Sequence, residues 1–255
     1  MSGAAPGPIA GSVRFAIVAA RRTGSNLLCT LLDSHPEILC HHEIFNPRGI
    51  YPALSLREGD FSLGSMEERE ADPVAFVGRI WRRPEGRRCV GFKLTCGQAE
   101  QVLAHVLADR DVRKIVLRRR NRVKAYVSER IAERLDQWEV YDPRELEAPR
   151  PSVPVDAAAL RRHVADTERF YRCIESRLED TSQGCLRVDY EALGGPSEQA
   201  RLLGFLDVDA EGVRLEARSV KQNPRDLRQL VANFDALARA LEGDPLREEL
   251  FDPGI

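Results

Sequence analysis

Residues 15–32, FAIVAARRTGSNLLCTLL, constrain this chain more than any other stretch. A short apolar run at 15–20 breaks into Arg21-Arg22-Thr23-Gly24-Ser25-Asn26, and an apolar helical pattern starts at Leu27. That order reads as strand, tight polar turn and helix N-terminus. A turn of this kind directs free backbone N–H groups and the positive end of a helix dipole at one spot, which suits a phosphate or a sulfate. Two arginines beside it add fixed positive charge. The plainer alternative is a strand-to-helix turn that is merely polar. The pattern is not the GxxxxGK[ST] loop of nucleoside triphosphatases, because no Lys follows Gly24 and the position five residues earlier is Ala19. The Lys that reaches a γ-phosphate and the hydroxyl that holds magnesium are both missing, which argues against an ordinary ATPase or GTPase.

Further apolar runs of strand length fall at 38–41, 89–94, 114–117 and 185–188. Helical periodicity lies at 25–34, 73–83, 98–108, 123–136, 156–179, 197–206, 225–241 and 245–251. Strands alternating with helices predict an α/β fold: a P-loop-like, three-layer α/β/α arrangement around a central, mostly parallel sheet. Ligands of such sheets sit beyond the carboxyl ends of the strands. Residues 46–72 and 137–154 fit neither period and read as lids, binding loops or disorder. The expected organisation is a flexible tail at 1–12 and one domain over 13–255.

A length of 255 residues with 43% hydrophobic content is enough for one full core. Net charge is −2, so no overall field selects nucleic acid or a membrane. The charge is uneven, however: residues 110–134 hold ten Lys or Arg against three acids, and 79–93 hold six against one. Local basic segments in a nearly neutral chain suggest a local anionic ligand, or else a solvated helix face. The cysteines at 29, 40, 89, 96, 173 and 185 form no CxxC pair and no zinc spacing, so no metal and a reducing, cytoplasmic setting are expected. Nothing approaches the ~20 apolar residues of a membrane helix, and the first dozen residues do not read as a signal peptide.

A second anion site is suggested where Lys114-Ile115-Val116-Leu117 runs into Arg118-Arg119-Arg120-Asn121-Arg122. Arg120 opens the turn, and Ser128 lies eight residues on, about two helical turns in. An Arg at a strand end and a Ser on the following helix can clamp a phosphate together. Taken alone, a run of arginines also fits a nucleic-acid patch or plain solubility.

With both segments in view, the chain resembles the sulfotransferases that use 3′-phosphoadenosine-5′-phosphosulfate (PAPS). In that family a strand–turn–helix near the N-terminus holds the 5′-phosphosulfate, and a strand-end Arg with a Ser eight residues later holds the 3′-phosphate. Here those look like Arg22-Thr23-Gly24-Ser25-Asn26 and Arg120…Ser128. The likeness is greater to the bacterial carbohydrate branch, of the Nod-factor type and more distantly the trehalose type. It includes Ser34-His35-Pro36, Glu43…Asn46-Pro47, Val90-Gly91-Phe92-Lys93, Asp189-Tyr190-Glu191-Ala192-Leu193 with Gly204-Phe205-Leu206, and Lys221-Gln222…Val231-Ala232-Asn233-Phe234.

The resemblance implies sulfuryl transfer to an acceptor hydroxyl, with PAPS as co-substrate and no metal. Like phosphoryl transfer, this chemistry asks the protein mainly to position groups and neutralise charge. It implies Arg22 at the phosphosulfate, with Thr23, Gly24, Ser25 and Asn26 as donors and Arg120 and Ser128 on the 3′-phosphate. Tyr190, Lys221 and Gln222 join them as cofactor contacts. Arg22 stabilises charge without readily donating a proton. Glu43 is the candidate general base, with His41 or His42 as runner-up because imidazole is the more usual base near neutral pH. Strand alternation predicts His41 and Glu43 on one face and His42 on the other. Lys93, ending an apolar strand, either contacts the sulfuryl group, orients Glu43, or makes a simple salt bridge. Trp81, Trp138, Tyr141 and Tyr51 are candidate sugar-stacking rings.

The acceptor is expected to be a carbohydrate or glycoconjugate, with a phenol, lipid or polyketide hydroxyl as the alternative. A non-catalytic nucleotide or nucleic-acid module built on 118–122 is the competing class, and it gives Arg22 and Glu43 no role. A small-molecule kinase is disfavoured by the missing Walker Lys.

Overall fold

The sheet is built from five parallel strands: β1 (Val13–Ala19), β2 (Ile38–His41), β3 (Cys89–Thr95), β4 (Val112–Arg118) and β5 (Cys185–Asp189), in the order β2-β3-β1-β4-β5. The computed structural model describes residues 12–147 and 149–253. The expected tail therefore lies outside the described residues apart from Ser12.

Helices cover both faces: α1 (Ser25–Asp33), α2 (Met66–Ala71), α3 (Pro73–Trp81), α4 (Glu100–Ala108), α5 (Arg122–Leu135), α6 (Ala157–Asp180), α7 (Pro196–Phe205), α8 (Phe234–Ala240) and α9 (Leu246–Phe251). Alternation along β1 shows why two layers are needed. Phe15, Ile17 and Ala19 enter one core with Leu28 and Leu32 of α1 and with Leu202 and Leu203 of α7. Ala16 and Val18 enter cores on the opposite face, with Phe76 and Ile80 of α3 and with Ile174 and Leu178 of α6. Gly91 of β3 lets the Phe15 ring press on its backbone, since a Cβ there would lie 2.5 Å from that ring. The expected three-layer α/β/α fold is thus observed, and the sheet is parallel throughout.

The chain leaves β1 towards β2 and β3 on one side and reaches β4 on the other. The crevice at such a reversal, beyond the carboxyl ends, is where open α/β sheets bind ligands. Several elements depart from the sequence expectation. Residues 46–72 contain α2, started by a capping box between Ser65 and Glu68. The helix expected over 225–241 is confined to Phe234–Ala240. Leu227, Leu230 and Val231 have helical spacing, but Val231 bridges in parallel to Val153, with Val153 N–H donating to Leu230 O at 2.8 Å. Among the described residues, no helix is long and apolar enough to cross a membrane.

Candidate active site

A cleft of about 1280 Å³ opens at the carboxyl ends of the strands. The turn after β1 forms its floor. Arg22 has φ 59° and Gly24 φ 87°, so the backbone twice enters the left-handed region before α1 begins. At Gly24 no side chain fits, because a Cβ would stand 2.2 Å from the Tyr190 ring. α1 has no side-chain N-cap and no acid in its first turn. The N–H groups of Thr23, Gly24, Ser25 and Asn26 find no acceptor among the described residues. These are the orphan donors of a helix start, and they lie at its positive end. The Thr23 hydroxyl is committed to Ala20 O at 2.8 Å, so only its backbone is available.

One wall is cationic. Arg22 donates from Nε to Ser128 Oγ at 2.9 Å, from Nη1 to Trp138 O at 2.5 Å and from Nη2 to Gln222 Oε1 at 3.0 Å. Asn223 Nδ2 also donates to Ser128 Oγ, at 3.1 Å. Arg119 is half-buried, stacks over the Tyr190 ring at 4.8 Å and donates to Arg22 O at 3.1 Å. Arg150, from the irregular segment 137–154, does not itself line the cleft but donates to Asn223 Oδ1, which does, at 3.2 Å. Burial, with Arg119 and Arg150 close by, lowers the Arg22 pKa to about 10. Burial also lowers the pKa of Arg119. Arg119 Nε and Arg150 Nη2 are buried without any hydrogen-bond partner. Of these two, Arg119 lines the cleft, where its free donor can meet an anionic oxygen.

The facing wall is made of paired charges. Lys93 Nζ lies 3.0 Å from Glu43 Oε1 and also donates to Asn26 Oδ1. Glu43 accepts further from Asn46 Nδ2, from Thr95 Oγ1 at 3.3 Å and from Gln98 Nε2 at 2.9 Å. Burial alone raises the Glu43 pKa, but Lys93 and the bonds from Asn46, Lys93 and Gln98 outweigh it and bring the carboxyl down to about 2. Of the readings open for Lys93, the ion pair is what the structure contains.

Other expected residues fall less simply. Arg120 does not line the cleft: its side chain is 66% exposed and faces Asp189 and Glu191 at 3.7 and 3.6 Å. Arg119 takes the inward position in its place, because the chain has left the strand at Arg118 and residues 119–121 follow turn geometry. The predicted alternation of His41, His42 and Glu43 fails for the same reason. β2 ends at His41, and the next two residues both line the cleft. His41 is buried against Phe61, with ring centroids 5.7 Å apart. Trp81 packs on Phe92 in the core, whereas Trp138 and Tyr51 line the cleft. Tyr190, Lys221 and Gln222 line it as well. No group of three or more His, Cys, Asp or Glu placed to hold a metal occurs among the described residues. Sequence reasoning missed Arg119, overshadowed by its neighbour, and Arg150, which no periodic signal marks.

No protein-family model matches the chain. The chain is 27% identical over 239 residues to a nodulation protein H from Rhizobium tropici, covering 91% of this chain and 90% of that one. The crystal structure of a sulfotransferase from Alicyclobacillus acidocaldarius aligns with a TM-score of 0.44 at 17% identity, covering 93% of each chain. The nodulation relative spans nearly the whole length over which the motifs run, so the chain is similar to nodulation protein H from end to end of the described fold.

Proposed function

We propose that the protein transfers a sulfuryl group from PAPS to an acceptor hydroxyl, and that the acceptor is a carbohydrate or glycoconjugate. The observation that carries this reading is the set of unmet donors around one turn: the amides of Thr23 to Asn26 and Arg119 Nε. Arg22 and Ser128 lie among them, already in hydrogen-bond contact. The need is for anionic oxygen at two neighbouring places, one at the start of α1 and one at the start of α5.

In this reading the turn amides and Arg22 hold the 5′-phosphosulfate, and Arg22 stabilises the charge that grows on the leaving phosphate. Ser128 and Arg119 hold the 3′-phosphate, with Arg120 at the rim. Tyr190, Lys221 and Gln222 border the bound nucleotide. Lys93 and Glu43 stand at the reacting end, and Trp138 and Tyr51 offer flat faces for a sugar ring. The carbohydrate rests on the nodulation kinship; the donor rests on the site's own chemistry.

Labelled PAPS incubated with panels of sugars and of small hydroxylated metabolites tests both halves. Label should pass to a saccharide, and 3′-phosphoadenosine-5′-phosphate (PAP) should bind far more tightly than ATP by calorimetry. Equal affinity for ATP sinks the donor assignment. Turnover confined to phenols, lipids or polyketide hydroxyls leaves the donor standing and overturns the acceptor.

A further inference from the structure

We propose that His42 Nε2, kept as a bare acceptor by a Glu139–Tyr141–His42 chain of hydrogen bonds, takes the proton from the acceptor hydroxyl, while Glu43 positions Lys93. The inference rests on the sulfuryl-transfer reading and adds to it the group that moves the proton.

The Tyr141 hydroxyl stands between two partners, Glu139 Oε2 at 2.6 Å and His42 Nδ1 at 3.2 Å. It has one hydrogen to give. A short bond to a carboxylate is the stronger of the two, so that hydrogen belongs to Glu139. Burial and Glu139 push the Tyr141 pKa up, so the hydroxyl keeps its proton. The remaining contact requires a donor on the imidazole: Nδ1 carries a hydrogen and gives it to the Tyr141 oxygen. A neutral imidazole has only one N–H, which leaves Nε2 a lone pair. His42 lines the cleft, and its Nε2 is buried with no partner.

The neighbouring histidine is set the opposite way. His41 Nδ1 accepts from Ala53 N–H at 3.1 Å, so its hydrogen sits on Nε2 and it has no lone pair to offer there. Glu43 is already engaged by Lys93, Asn46, Thr95 and Gln98, whereas His42 Nε2 has no partner. His42 is kept neutral. Burial comes first, then Lys93, Arg57 and His41, and together they hold its pKa well below 6.5. Glu139, 3.9 Å from Nδ1, favours the protonated ring less than these oppose it.

The step balances with groups already named. The acceptor O–H gives its proton to His42 Nε2 as its oxygen bonds to sulfur. The bond from sulfur to the bridging oxygen of the 5′-phosphate breaks, and its electron pair stays on the phosphate beside Arg22. The products are the sulfated acceptor, PAP and an imidazolium, which then returns its proton to water. Tyr141 and Glu139 are positioning residues.

Nitrogen NMR of histidine-labelled protein reads the tautomer without any turnover. The expected signal is Nδ1–H with a bare Nε2 for His42; an Nε2–H form overturns the proposal. In kinetics, His42→Gln should lower kcat on the order of 10²-fold or more and leave the affinity for PAP unchanged. Added imidazole should restore part of the activity of His42→Gly. Tyr141→Phe should lower kcat about tenfold with KM values little changed, and should move the acid limb of the pH profile. Since the base must be unprotonated, that limb falls as pH drops below the ordinary histidine range. Near-normal turnover in His42→Gln with collapse in Glu43→Gln returns the role to Glu43. A wild-type protein that neither binds PAP nor uses PAPS overturns the underlying reading and this proposal with it, whatever the NMR shows.

Discussion

The two walls of the cleft solve the problem of buried charge in opposite ways. On the wall built from the β1 turn, β4 and α5, Arg119 and the nearby Arg150 repel Arg22, and Arg119 Nε stays without a partner. On the wall built from the ends of β2 and β3, Lys93, Glu43 and Asn26 satisfy one another. Buried charges left unpaired cost several kcal/mol unless something arrives to pair them. In the proposed reading the first wall is completed by a ligand, whereas the second is complete beforehand. Electrostatic stabilisation works best from groups already fixed, and binding is driven best by groups not yet satisfied.

The sharpest way to break this contrast is to remove one charge from each wall. Arg22→Ala should lower transfer by about 10²- to 10³-fold, the usual loss for one donor aimed at developing charge. The ligand-free protein should lose little stability, because the three hydrogen bonds given up by Arg22 are offset by relief of its repulsion with Arg119 and Arg150. Thermal melts with and without PAP check both statements, and a melt lowered sharply in the absence of ligand would show that Arg22 is a structural clamp.

Lys93→Met should act the other way round, destabilising the free protein. Lys93 and the hydrogen bonds around it hold the Glu43 carboxyl down to about 2 in the folded chain, against 4.5 for a free glutamate. A depressed carboxyl contributes stability that is fully present above about pH 4.5 and is lost as pH falls towards 2. Its worth is about 3 kcal/mol. Denaturant unfolding of the wild type should weaken across that window, and Lys93→Met should be less stable at pH 7 and flatter below pH 4.5. Parallel curves for the two proteins would show that the pair contributes nothing.

How far the sequence shows this arrangement depends on what each signal measures. The five strands and the parallel sheet follow from apolar runs, because burial on both faces needs unbroken hydrophobicity. Arg22, Gly24 and Ser128 come from local turn and helix spacing, and they meet. Arg120 against Arg119 is different. Once the chain leaves β4 at Arg118, side-chain direction follows the turn before Asn121 caps α5, and spacing does not encode it. The same limit misplaces His42, one residue beyond β2. The chain from Glu139 to His42 links residues 97 positions apart through a loop with no period, and only the packed structure brings them together.

Gly24→Ala probes the hinge between the two walls. The new Cβ meets both a left-handed φ of 87° and the Tyr190 ring at 2.2 Å. Strain at such a position costs about 1–3 kcal/mol. Moving Tyr190 to relieve it also unseats Arg119 from the ring, so stability and PAP affinity should fall together. Unfolding curves and calorimetry on one preparation check the pairing. Loss of stability with full affinity would detach Tyr190 from the donor wall.

The smallest expected effect discriminates most between sequence spacing and geometry. Arg119 is half-buried against Tyr190 with its Nε buried and unpaired, while Arg120 faces Asp189 and Glu191 from solvent. A buried charged hydrogen bond is worth about 1.5–3 kcal/mol, so Arg119→Ala should weaken PAP binding about tenfold or more. Arg120 already has two carboxylates in an exposed setting, where ion pairs are worth about 0–1 kcal/mol. Arg120→Ala should therefore change PAP affinity by about twofold at most, and raising salt should shrink even that. The reverse ranking would mean that bound ligand draws Arg120 off its two carboxylates and into the cleft. The cationic wall would then be assembled by its ligand, and the contrast with the pre-paired wall would become larger still.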